Sequence, residues 1–519
     1  MATKSEQSLD TGLDGRLLEL LIAEHERLGE PRQRRLWDYY RNASGEASGI
    51  SMRRRRYRLA QEQGLPARLT GLRGESAAVG PDGSEHEVVV ENDIGWRVHT
   101  LVDFMFGKPF SLQSCAEEEG ERETIERFLS EVMKANGGIG FFQELALLGS
   151  VYGYVDVLLR AVPAPVRPID EQSRLTYRGG RGGTAKQATV EAGGALRRLL
   201  MAAREFVLEP IEAPKVIPVL NADDYRQVEA YVLHYRQALN AVASEGFMRR
   251  VKHRVLGGAV EGAQRAVVER TQVWTDRQVT LLEGESGRRR VVDQKVNRLG
   301  RIPMVHIQNL PQPFFYEGLS EVEPLVPLQD ELNTRLSDRA NRVTFQSFKM
   351  YLGKGIEKFT ERPVGPGQMW ATDNIDAKIE TFGGDAESPS EEAHINEIRE
   401  AMDKTSGVTP IAAGLLRNRV GNLTSESALR VVLMGLLAKT ERKRVTYGTG
   451  IQRLCELILH AADVHGILTT RPEDRAVRID WPSPLPENQY EDLRNAKLKL
   501  ELGLPAKQVL SELGYGECA

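Results

Sequence analysis

The string GGRGGTAK, inside the glycine-rich stretch 179–194, holds the ingredients of a phosphate cradle: backbone amides laid open by glycine, and the cation Lys186. A working cradle needs Gly-Lys followed by Ser or Thr at the opening of a helix, so that the amides and the ammonium converge on one phosphate. Here Lys186 follows Ala185 and precedes Gln187, and nucleotide binding is not expected. Glu391 and His394 form an E-x-x-H pair with no second partner nearby for a metal. Cys115, Cys455 and Cys518 are odd in number and far apart, which suits free thiols in a reducing cytoplasm rather than a disulfide framework or a zinc ribbon. The nine histidines are scattered, and neither a nucleophile elbow nor a paired-histidine zinc helix is present. The chain is therefore expected to be no enzyme, with no cofactor and no metal. The basic run Arg53–Arg56 reads either as a solvated surface patch or as a contact for nucleic acid.

Composition narrows the field further. The 519 residues are 41% apolar and 27% charged, ordinary for a folded chain, and carry a net charge of -4. A length of this kind suits about three domains. A protein that grips the DNA backbone over a large surface would be clearly basic. Near-neutrality fits a cytoplasmic enzyme equally, and becomes informative only where DNA must slide past without sticking. No apolar run approaches the roughly 20 residues of a membrane span. The opening MATKSEQSLD lacks the apolar core of a secretion signal, so neither membrane insertion nor export is expected.

The elements that must position these side chains fall into four stretches. Leu17, Leu18, Leu21 and Ile22 predict an amphipathic helix, with a second short one after Pro31 carrying Trp37, Tyr39 and Tyr40. Ile94, Val98, Leu101, Val102, Met105 and Phe106 predict a helix with one buried face, stopped by Gly107 and Pro109. Helices are predicted at 121–134 and 138–149, then strands in VYGYVDVLLR and at 216–220, 229–236, 267–275, 278–282 and 303–307. Ser320 with Glu323 predicts a capping box, and Pro327 either sits in the first turn or kinks the helix that follows. Leu325, Leu328, Leu332, Leu336 and Val343 then make one apolar stripe running to about Lys349. A Gly/Pro-rich interval follows, with short strands near 350–352 and 377–382. Ser388 caps a second helix with Pro389 at its first position and a thin stripe of Ile395, Ile398 and Met402. A broken loop leads to a helical pattern from Thr424 to about His465, whose basic middle is Lys439–Arg444 and whose weak points are Gly448 and Gly450. A strand-like VRIDWPSPLP and two short helices, 490–500 and 506–513, close the chain.

This ordered series resembles the portal proteins of tailed double-stranded DNA bacteriophages. The run VYGYVDVLLR, VLEPIEAPKVIPVLN, AYVLHYR, VWTDRQVTLLE, LGRIPMVHIQN looks like their β-rich wing, and EGLSEVEPLVPLQDELNTRLSDRANRVTFQSFKMYLG like the start of the stem and its first helix. The resemblance spans about residue 90 to the end. It implies an α+β portal fold: an N-terminal helical segment at 1–90, a wing at 91–317, a first stem helix at 318–349, a clip at 350–387, a second stem helix at 388–405, a tunnel loop at 406–423, a long wing helix and strand at 424–488 and a helical crown at 489–519.

What the resemblance implies about function follows from that order. Twelve copies would close a ring at one capsid vertex, forming the channel for DNA packaging and ejection. A terminase large subunit, a head–tail adaptor and the major capsid and scaffolding proteins would be its partners. It would be a virion component assembled in the host cytoplasm, without a membrane. Glu391, Glu397, Glu400 and Asp403 would line the channel, where acid repels phosphate and lowers friction, although the same residues suit an ordinary solvated helix face. Arg417, Asn418, Arg419 and Asn422 would sit in the tunnel loop and touch passing phosphates, or else pair with acids on the stem. Lys354, Lys358, Arg362 and Trp370 would form the clip docking surface, with Trp370 equally suited to a core. The alternatives are another self-assembling phage structural protein or an uncharacterised cytoplasmic enzyme.

Overall fold

The computed structural model describes residues 12–46, 57–70, 86–161, 196–224, 226–239, 266–285, 287–347, 350–355, 374–382, 389–413, 430–485, 489–506 and 509. It is a mixed helix and sheet protein. Its strands, in chain order, are β1 (Ser44–Glu46), β2 (Tyr57–Leu59), β3 (Ser111–Ser114), β4 (Tyr154–Ala161), β5 (Phe206–Ile211), β6 (Val216–Leu220), β7 (Val228–Leu239), β8 (Ala266–Trp274), β9 (Gln278–Glu283), β10 (Arg290–Val296), β11 (Met304–Gln308), β12 (Met350–Lys354), β13 (Lys378–Phe382) and β14 (Val477–Asp480). The chain divides into two compact units, one built from residues 1–37, 98–321 and 414–519 and the other from residues 38–97 and 322–413.

The first unit is organised by two antiparallel sheets and one long helix. The larger sheet runs in the order β10-β9-β8-β7-β6, and the smaller in the order β11-β4-β5. Alternating burial along β6 and β9 marks one face of the larger sheet as core, where Ile217, Val219, Val232, Val273 and Leu282 receive Leu18 and Ile22 of the N-terminal helix Gly15–Glu24. That helix starts on the side chain of Asp14, which accepts from the Arg16 amide at 2.9 Å. The break expected at Pro31 is absent. A turn of wider helix, His25–Gly29, leads directly into Glu30–Arg41, so Pro31 lies inside a continuous helical run just after a π turn.

The Met434–Val464 helix packs across the smaller sheet. It runs unbroken through Gly448 and Gly450, the positions where a kink was expected. A side-chain carbon on Gly450 would meet Ile307 at 2.5 Å, so glycine there serves close approach to β11. Helical structure is seen from residue 430, with a turn at Leu433. The basic middle of this helix turns only Glu441 and Arg442 to solvent. Lys439, Lys443 and Arg444 are all buried. Glu321 binds Lys439 directly and lies 3.6 Å from Lys443, whose Nζ donates to Ser150 Oγ at 2.9 Å. Tyr447 and Asn309 close the cluster through a 3.2 Å hydrogen bond.

Two ammonium groups therefore share one carboxylate in the core. Burial pushes the Lys443 ammonium down to about 8, against the attraction of Glu321. A group whose folded value lies below its ordinary one is carried charged at a cost below pH 8, and that cost is relieved as pH rises from 8 toward the lysine's ordinary value near 10.5. Lys443→Met is expected to raise stability at pH 7 by about 1–3 kcal/mol and to flatten the rise between neutral and alkaline pH. Urea midpoints at the two ends of that range check it.

The Ser320 hydroxyl donates to the Val151 carbonyl at 2.6 Å, and Glu323–Leu325 form a single tight turn before the Val326–Ser347 helix opens with Pro327 at its second position. The strand read as starting at Val151 begins at Tyr154, because Gly153 ends the preceding helix, Ile139–Tyr152, with φ +92°. A side-chain carbon on Gly153 would stand 2.3 Å from the Gly318 carbonyl, which leaves glycine as the residue that fits. β14, where a strand was expected, pairs with β3, and the Gln489–Glu501 helix follows; most of the second expected helix, 506–513, lies outside the described residues.

Candidate functional site

In the second unit, two helices lie side by side, Val326–Ser347 and Pro389–Ser406. The antiparallel hairpin β12–β13 connects the end of the first to the start of the second. At that end Arg342 binds Glu391. The second helix buries Ile395, Ile398, Met402 and Ser406, a single narrow seam. Its opposite side is exposed and carries Glu397, Glu400 and Lys404.

The buried face of the first helix is not the apolar stripe alone. Gln329, Asn333 and Ser337 are each fully buried, and with Asn341 they recur every fourth residue. Each meets the backbone of residues 87–93. The Asp93 amide donates to Gln329 Oε1 at 3.0 Å, that of Glu91 to Asn333 Oδ1 at 2.9 Å, that of Val89 to Ser337 Oγ at 3.0 Å and that of Glu87 to Asn341 Oδ1 at 2.7 Å. Gln329 Nε2 and Asn341 Nδ2 return bonds to the carbonyls of Glu91 and Glu87. Alternate amides of a segment with no strand partner are thus satisfied by side chains of a helix, which answers where its backbone hydrogen bonds go. Tyr39 donates to Asp330 at 2.6 Å, Asn333 to Gln61 at 3.1 Å, and Arg68 grips Asp338 through two bonds of 2.5 and 2.8 Å. Tyr39, Gln61, Arg68 and residues 87–93 are therefore the clamp that holds this helix. Val343, read as the end of the apolar stripe, is exposed.

Of the four acids expected along the channel, the structure separates two from the other two. Glu391 is engaged by Arg342, and Asp403 Oδ1 accepts from Arg97 at 2.5 Å. Glu397 and Glu400 face solvent, with His394 lying 3.7 Å from Glu397 and 3.4 Å from Glu331. Hydrogen bonding from Arg335, helped by His394, lowers the Glu331 carboxyl from its ordinary value. Glu391 and His394 have no metal-binding company: among the described residues no group of three His, Cys, Asp or Glu is placed to hold an ion.

Arg97 was passed over in the sequence as part of an amphipathic helix. It is almost wholly buried, and its guanidinium reaches Asp93 Oδ2 at 2.7 Å and Asp403 at 2.5 Å and lies over the Trp96 ring at 4.3 Å. Its signal was a charged residue inside an apolar run, with an acid four residues earlier. Lys354, at the end of β12, is exposed and 3.4 Å from Glu380. Lys358, Arg362 and Trp370, the four tunnel-loop residues Arg417, Asn418, Arg419 and Asn422, the cap Ser388, the run Arg53–Arg56 and the stretch 179–194 lie outside the described residues. Cys115 is exposed, and burial pushes the Cys455 thiol up to about 12, so it is inert at ordinary pH. No helix among the described residues is long and apolar enough to cross a membrane.

A family model described as "Phage portal protein, SPP1 Gp6-like" matches residues 97–514, and the chain belongs to that family. It is thus a structural component of a phage-type particle. A solved chain from "Virion of native gene transfer agent (GTA) particle" is similar at 12% identity, with 81% of this chain and 89% of that chain covered and a TM-score of 0.40. Among curated proteins, none matches.

Proposed function

We propose that this protein closes into a ring, of about a dozen copies, at one vertex of a capsid, and that the ring is the channel through which double-stranded DNA enters and leaves. The observation that carries this is family membership across residues 97–514 together with a helix pair whose free side is wet and acidic. The chain does no chemistry of its own. A separate terminase motor drives the DNA, and the hairpin that carries Lys354 is the docking end for the terminase and then for a head–tail adaptor; capsid and scaffolding proteins receive the outer surface. Rings with a central hole in negative stain, and a mass by photometry of many copies of the chain, are the expected result. A particle of sheets or spheres would instead mark a shell protein.

Glu397 and Glu400 keep their charge toward solvent after Glu391 and Asp403 have been neutralised by arginines. Repeated around a ring, they repel phosphate and keep a moving duplex from adhering. Glu397→Lys with Glu400→Lys is expected to slow packaging several-fold and to make its rate fall as salt is lowered. Single-particle packaging rates at two ionic strengths check it, and unchanged rates would remove these residues from the channel.

A further inference from the structure

The loop after β11, residues 309–319, carries Phe314 and Phe315 at 80% and 60% exposure. Phe314 holds φ at +69°, a left-handed conformation that a bulky residue rarely adopts and that persists where its surroundings dictate it. Those surroundings converge on Tyr316. Its hydroxyl donates to Asp156 Oδ1 at 2.7 Å and lies 3.1 Å from the Tyr231 hydroxyl. Its carbonyl accepts from Gln308 Nε2 at 3.0 Å and meets His306 Nε2 at 2.9 Å. Its ring stacks on the His306 ring, with centroids 3.9 Å apart. The other nitrogen of that imidazole, Nδ1, meets Asp156 Oδ1 at 2.9 Å.

These contacts need more protons than a neutral imidazole and an ionised carboxyl hold between them. A carbonyl only accepts, so Nε2 must carry a hydrogen, and the Nδ1–Oδ1 contact needs a second one, on nitrogen or on oxygen. A neutral imidazole beside a carboxylate has one. The pair therefore holds a second proton, and two groups in such close contact gain and lose it jointly. Burial favours the same count. Asp156 is 1% exposed, its Oδ2 has no hydrogen-bond partner, and among the described residues no lysine or arginine pairs with it. Without the second proton a bare carboxylate would sit in the core. The proton has a way out, since the His306 side chain is 21% exposed on the wall of a hollow of about 810 Å³.

Other titratable and charged groups face this pair from each neighbouring element. Burial first, and then the Asp156 charge, push the phenols of Tyr154, Tyr231 and Tyr316 well above their ordinary value, so they keep their protons. Arg32 and Glu317 act on Tyr154 with opposite signs. Arg226, Arg301, Arg453 and Glu456 line the hollow, and arginine and glutamate as classes do not change charge between about pH 6 and 9. Lys443, pushed down to about 8, does titrate there. It lies behind the far end of the loop, where Asn309 joins Tyr447 to the Leu319 carbonyl.

We infer that His306 and Asp156 form a proton-held latch that keeps the 309–319 loop in place, and that loss of one proton to solvent frees it. The inference goes beyond the ring reading and does not need it. With the proton present, both ends of the imidazole are bonded and the loop is held. With it gone, one end sets a lone pair against a lone pair, and the Tyr316 carbonyl is left to Gln308. The held state binds the extra proton, so its stability is present on the acid side and falls as pH rises. Phe314 is then released from its left-handed conformation.

A nitroxide label on Phe315→Cys reads the loop directly, in the full-length chain with Cys115 and Cys518 changed to Ser; Cys455 is buried. From about pH 6 to about pH 9 the ratio of mobile to ordered label is expected to rise about tenfold or more, with a limiting slope of about tenfold per pH unit for one proton. Asp156→Asn is expected to keep the label ordered throughout, because an amide donates to Nδ1 of the neutral ring and leaves the Nε2 hydrogen for the Tyr316 carbonyl. His306→Ala is expected to leave it mobile throughout. A parent spectrum that ignores pH overturns the inference. So does a rise that survives in Asp156→Asn, which assigns the proton to another group such as Lys443. A label that is mobile at every pH in Asp156→Asn, or ordered in His306→Ala, overturns it as well. Should either variant lose its circular dichroism, the titration of the parent chain decides alone.

Discussion

Glu321→Ala is expected to be the most damaging single truncation in the sheet-bearing unit, lowering its stability by about 3–5 kcal/mol. The carboxylate is 4% exposed and is shared by Lys439 and Lys443, both buried in the middle of the Met434–Val464 helix. Deleting it leaves two like charges facing each other in a core with Ser150, Asn309 and Tyr447 as their neutral company. The loss should shrink as pH rises toward 8, because without the attraction of Glu321 the Lys443 ammonium lies below its value of about 8 in the intact protein and sheds its proton first. The double change Glu321→Ala with Lys443→Met should recover a good part of the loss, since it removes the surplus charge with the acid. Urea unfolding of the three chains at neutral and alkaline pH decides it; a loss that ignores pH would place the cost in packing and not in charge.

Arg97→Ala is expected to cost the helix-pair unit a similar amount, about 3–5 kcal/mol. The guanidinium is 1% exposed and serves two carboxylates, Asp93 and Asp403, as well as the Asp93 carbonyl at 2.7 Å. Without it the two acids are left poorly solvated and close to one charge they both used. Asp403→Asn added to Arg97→Ala should return part of the loss at pH 7. Arg97→Lys should restore less than half, because an ammonium cannot fork to two acids as a guanidinium does. A denaturant midpoint unchanged in Arg97→Ala would show that the pair of acids finds water.

Much of the scaffold was legible in the sequence because burial there follows a period. Strands β6 to β9 lie within a residue or three of where alternation placed them, and Ile395, Ile398 and Met402 are the narrow seam that their spacing predicted. What escaped was polar and buried. Lys439 and Lys443 look like a solvated stripe until Glu321, more than a hundred residues earlier, is brought beneath them. Gln329, Asn333 and Ser337 look like a helix's wet side, and they are as deeply buried as Leu332 of its apolar stripe. Hydrophobic periodicity marks faces that want to leave water; it is silent about polar faces that find all their partners in the protein. Gly448 and Gly450 were misread for a related reason, since a glycine that admits a neighbour and one that weakens a helix look alike without the neighbour. Among the acids on the Pro389–Ser406 helix, composition could not tell Glu391 and Asp403, which are held by arginines, from Glu397 and Glu400, which face solvent.

The row of side chains at 329, 333, 337 and 341 behaves as a vernier. Four residues of helix advance about 6.0 Å, and two residues of extended chain about 6.6–6.8 Å, so each rung drifts by roughly 0.7 Å from the one before. Over three intervals the mismatch reaches about 2 Å, close to the limit that amide and hydroxyl side chains can absorb by bending, which is why such a row is short. It also fixes phase: only one alignment keeps every rung within reach, and a slip of one residue would turn each amide away. Because the rungs grasp backbone and not side chains, the row itself asks nothing of the side chains at 87–91 except that no gripped position become proline; Glu87 and Glu91 are tied separately, to Thr344 and Arg399. The tolerance is lopsided. Between those two ties the gripped segment can drift in sequence, and the four residues that grip it cannot.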